Sequence, residues 1–84
     1  MSDLDRLVRR LRSLPPSAWR SGGRDLVVRR LAADLVTVGG SGHELPDLPD
    51  HALADAIAVL GREAQQVDPD RTADLLRAAL SELS

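Results

Sequence analysis

Apolar residues recur every three or four positions in four separate stretches of this chain, with polar and charged residues filling the gaps. That spacing gives each stretch one apolar stripe as an α-helix, because side chains i, i+3, i+4 and i+7 share a face at 3.6 residues per turn. The first predicted helix runs from Ser2 to Leu14, with Leu4, Leu7, Val8, Leu11 and Leu14 on its stripe. Ser2 with Asp5 approximates a capping box, Arg9, Arg10 and Arg12 suit the negative end of the helix dipole, and Pro15-Pro16 ends the helix. The second spans Asp25 to Val38 and turns Val28, Leu31, Ala32, Leu35 and Val38 inward, after which Gly39 or Gly40 supplies a left-handed C-cap.

The third helix is predicted from Asp50 to Gln66, with Leu53, Ala56, Ile57, Leu60, Ala64 and Val67 on its inner side. Gly61 within it costs about 1 kcal/mol relative to Ala, which points to close approach of a neighbouring helix. Asp68 and Pro69 read as the N-cap and first residue of a fourth helix reaching Leu83, whose stripe is Leu75, Leu76, Ala79, Leu80 and Leu83. Between the first two helices, Pro16 to Ser21 holds at most one or two turns and carries Trp19. The stretch Gly39 to Leu48 has no periodicity and forms a loop, functional or merely connecting. The expected fold is therefore all-α: residues 1–84 as one helical domain, a small bundle of four principal helices plus a short connecting helical turn. Short connections favour antiparallel neighbours, hence an up-and-down bundle over an orthogonal one.

Composition adds constraints on stability. The 84 residues include no cysteine and a single aromatic, Trp19, so neither disulfides nor thiolate metal sites can reinforce an aliphatic core. A chain this short draws roughly 3–5 kcal/mol from one core, which makes a homodimer an expected way to bury more surface. Ala52, Ala56, Ala64, Ala73 and Ala78 suit close helix contact about a twofold axis, and Trp19 is expected to plug one end of the bundle. No apolar run approaches the roughly 20 residues that span a bilayer, so a soluble, cytoplasmic protein without a membrane role is expected.

The net charge of −2 conceals a polarity: residues 1–42 hold eight Arg and four Asp, for +4, and residues 43–84 hold three Arg and nine acids, for −6. Arg6, Arg9, Arg10, Arg29, Arg30 and Trp19 are the candidate interaction surface. Duplex DNA is a weaker candidate than protein, since the chain is acidic overall, lacks aromatic platforms for bases, and intersperses Asp5, Asp25 and Asp34 among its arginines. His43, Glu44, Asp47, Asp50 and His51 crowd metal-ligating types into a short span. Their spacing fits no zinc pattern, and Pro46 and Pro49 interrupt any helix that could align the histidines, so Asp50 and His51 are expected to cap the third helix and no metal or cofactor is expected.

Gly39-Gly40-Ser41 ahead of a helix in a small acidic helical domain resembles a phosphopantetheine carrier protein, a resemblance that would make Ser41 the attachment point of the prosthetic arm. That family places an apolar residue directly after the serine, where this chain has Gly42, His43 and Glu44. Ser41 and His43 also have no evident third group to orient an imidazole, and without Cys, Tyr or Lys few nucleophiles and acids remain, so no catalytic residue is expected. The reading that ranks first is a noncatalytic protein-interaction or assembly module binding a protein partner or itself. A small DNA-associated regulator using the Arg-rich N-terminal half is the alternative, with a carrier-like domain below it.

Overall fold

Helix formation follows the apolar stripes within a residue or two at every boundary. The computed structural model describes residues 2–40 and 49–83, and contains α1 (Asp3–Ser13), α2 (Pro16–Arg20), a 3-10 turn (Ser21–Gly23), α3 (Arg24–Gly39), α4 (Asp50–Val67) and α5 (Pro69–Leu83). No strand occurs among the described residues. As expected, this is a small all-α bundle of four long helices with a short helical connection carrying Trp19.

Local chemistry accounts for the ends. The Ser2 hydroxyl accepts the Asp5 backbone N–H at 3.1 Å, and Leu14 leaves the helix in an extended conformation ahead of Pro15. Gly40 closes α3 at φ +65°, donating its N–H to Val36 and Thr37, the left-handed cap that a side chain would make strained. Asp68 alone joins α4 to α5: its N–H donates to the Ala64 carbonyl at 2.8 Å, and its carboxylate accepts the Arg71 N–H at 3.1 Å. Its own carbonyl accepts the hydroxyl of Thr72, a fully buried polar side chain that is thereby satisfied. Because one side chain starts α5, Asp68→Ala should lower stability by about 1 kcal/mol in urea denaturation, whereas Asp68→Asn, whose amide oxygen can still accept the Arg71 N–H, should retain most of the stability. An unchanged midpoint for Asp68→Ala would deny the cap its role.

α4 and α5 form the pair on which both α1 and α3 pack. Leu4 meets Gly61 and Arg12 meets Asp55, so α1 and α4 are antiparallel. Asp3 meets Arg77 and the Arg10 guanidinium donates to the Leu83 carbonyl, so α1 and α5 run the same way. Gly39 lies beside Glu63 and Ala64, near the C-terminal ends of both helices, while α3 and α4 share the broadest helix contact. They too run the same way. Within the bundle the directions are thus up, down, down, up, and strict alternation is interrupted once. The reason is the length of one connection: the ten Cα–Cα steps from Gly40 to Asp50 can span roughly 33 Å, more than the roughly 24 Å rise of α3.

The core joins Leu4, Leu7 and Leu11 of α1 to Val28, Leu31 and Leu35 of α3, Leu53 and Ile57 of α4, and Leu76 and Leu83 of α5. Trp19 of α2 is buried with them. Gly61 is buried against Leu4, the close helix approach its position implied. Val67 departs from expectation: it is 61% exposed, at the last residue of α4, where the chain turns at Asp68. Pro49, rather than Asp50 or His51, occupies the N-cap position of α4, its extended backbone compatible with the ring's fixed φ. Among the described residues no helix is long and apolar enough to cross a membrane.

Candidate interaction surface

The arginines of the candidate surface are distributed by the packing of α1 and α3 on the α4–α5 pair. Arg6 and Arg9 stand exposed on the outward face of α1. Arg10 is turned toward α5, where its Nη2 donates to the Leu83 carbonyl at 3.1 Å and so closes the last turn of that helix. Arg29 is half-buried on the side of α3 that faces Trp19, whereas Arg30 lies on the wall of a separate groove between α3 and α5. Of the six residues, Trp19 and Arg29 share a concavity.

That concavity is a cleft of about 600 Å³ where the end of α1, the short α2, the side of α3 and the start of α4 converge. Its existence follows from the double proline. Pro15-Pro16 ends α1 and starts α2 within three residues, so α2 cannot continue the α1 axis and instead tucks Trp19 under the bundle at 5% exposure. The Arg24 guanidinium donates to the Ala18 carbonyl at 3.3 Å, tying α2 to the start of α3. Leu11, Leu14, Pro16, Trp19, Pro49 and Ala54 give the cleft an apolar lining, and Arg12, Arg20 and Arg29 supply its charged groups.

No acidic residue is among its described lining residues. Arg12 pairs with Asp55 at 2.8 Å, but side-chain exposures of 60% and 76% leave that pair solvated, contributing at most about 1 kcal/mol and available for exchange. An apolar wall with guanidinium groups around it favours a ligand that buries an aliphatic or aromatic group while its carboxylates accept bidentate hydrogen bonds. The described lining contains no His, Ser, Asp or Glu that could act as a base or nucleophile.

Arg12, Arg20, Pro49 and Ala54 were not singled out by sequence reasoning. The available signal was the proline pair beside the only aromatic, which marks a sharp bend around a large side chain; nothing in the periodicity brings Pro49 to that bend. Ser41, His43, Glu44 and Asp47 lie outside the described residues. Among the described residues no group of three or more His, Asp or Glu could hold a metal ion. Comparison with family models, with curated proteins and with solved structures returns no match.

Proposed function

We propose that this protein is a noncatalytic interaction module that receives an acidic, partly apolar segment of a partner protein in the Trp19 cleft. The observation that carries this reading is the combination in one concavity of an apolar lining with three guanidinium groups. Preformed clefts with a few placed charges bind at lower entropic cost than flat surfaces, and the buried Trp19 forms part of the wall of this one. The DNA-associated reading has a narrower footing, the exposed Arg6 and Arg9 on α1, because Arg10, Arg29 and Arg30 are directed elsewhere. The working location of such a module is the cytoplasm.

The test compares wild-type protein with Arg20→Glu as baits in extracts of the native host, each first shown to be folded by circular dichroism. Arg20 is exposed at the cleft, so its reversal should leave the fold intact. Partners retained by the wild type should be lost from the variant, and purified partner should bind at least about tenfold more weakly, since breaking a desolvated charge pair costs on the order of 2–5 kcal/mol. Equal retention by both baits overturns the cleft reading. Salt-sensitive duplex binding abolished by Arg6→Ala with Arg9→Ala would replace it with the regulator, and a phosphopantetheine adduct on Ser41 in protein from the host would replace it with the carrier.

A further inference from the structure

A second surface, on the far side of α3 from the cleft, carries its own charge pattern. The groove between α3 and α5 measures about 220 Å³ and is walled by Val27, Arg30, Leu31 and Asp34 on one helix and by Leu75, Ala78, Ala79 and Glu82 on the other. We propose that two copies of this chain pair across this groove about a twofold axis, with Arg30 of each reaching Glu82 of the other. The surface is separate from the Trp19 cleft, so the two readings stand or fall independently.

Three observations support a second copy as the occupant. First, the groove is self-complementary in charge: Arg30 stands on the α3 wall and Glu82 on the α5 wall, and among the described residues neither makes an ion pair. A twofold axis along the groove lays α3 of one copy over α5 of the other, so the Arg30–Glu82 contact forms twice. Because α3 runs with α4 and α4 runs against α5, α3 and α5 are antiparallel.

Second, Leu26, immediately before Val27 and one turn from Arg30, is 67% exposed, the largest exposure of any large apolar side chain described. It lies on α3, over which that axis lays α5 of the partner copy. Third, Ala78 is exposed on the groove wall with Ala79 beside it, so a second helix could approach closely without a large side chain intervening.

Sedimentation across a micromolar concentration series reads the outcome directly. The wild type should sediment at twice the 9.0 kDa chain mass, more weakly associated as salt is raised. Arg30→Glu and Glu82→Arg should each raise the dissociation constant at least about tenfold while circular dichroism shows the fold retained. The combined Arg30→Glu/Glu82→Arg variant should regain the dimer, because exchanging the signs restores the pair. A 9.0 kDa species at every concentration overturns the proposal, and so does a dimer indifferent to both single reversals or one the double reversal fails to restore.

Discussion

Leu11→Asp should abolish the folded state. Leu11 is 1% exposed, lies on the inner stripe of α1, and belongs to the core shared by all four long helices. An aspartate there would place a carboxylate among core side chains at a position 1% exposed, while the arginines of the cleft that Leu11 also lines sit toward solvent, Arg12 and Arg20 exposed and Arg29 half-buried. An unpaired buried charge costs roughly 3–5 kcal/mol, about the entire stability expected of a domain this small. The helical circular dichroism signal and the thermal transition should both be lost at neutral pH. Leu11→Met, which keeps volume and polarity, should lose less than about 1.5 kcal/mol. A Leu11→Asp protein that melts like the wild type would mean that α1 buries a different face.

The next largest effect is expected at Gly61, where α1 crosses α4. A Cβ built there would lie 2.5 Å from Leu4 Cδ1 and 3.0 Å from Leu4 Cδ2, and Leu4 is itself buried. Replacing an interior helical glycine ordinarily gains up to about 1 kcal/mol of helix propensity, so the sign of the change depends on whether Leu4 can move. Surrounded by core residues, it has little room, and overpacking of this kind costs about 1–3 kcal/mol. Gly61→Val should therefore destabilise by about that amount, more than Gly61→Ala.

The background decides whether the cause is the Leu4 contact. Leu4→Ala alone should cost about 2–5 kcal/mol by leaving a cavity, and adding Gly61→Val to it should then recover stability, because the valine methyls fill the vacated space. A destabilising Gly61→Val in both backgrounds would show that the backbone, rather than Leu4, requires the glycine. This contact also bears on function, since α1 supplies Leu11, Arg12 and Leu14 to the cleft and is aligned on α4 where Leu4 meets Gly61.

What the sequence determined by itself was local. Helix extents, the Ser2, Gly40 and Asp68 caps, the break at Pro15-Pro16 and the buried stripe of α1 all depend on residues within a turn or two of one another, and periodicity reports such relations directly. Gly61 announced a close neighbour without naming it. A stripe states which face a helix buries but not which helix it meets, nor in which direction. Only the tertiary structure decided that α3 and α4 run the same way, that Leu4 is the side chain over Gly61, and that Val67 at the end of an apolar stripe is left largely exposed. The arginines show the same division. Arg29 and Arg30 are adjacent in sequence, yet a rotation of about 100° between successive helical residues sends one to the Trp19 cleft and the other to the α3–α5 groove. Their charge was evident from the sequence, but the site each serves depended on which helices pack on either side of α3.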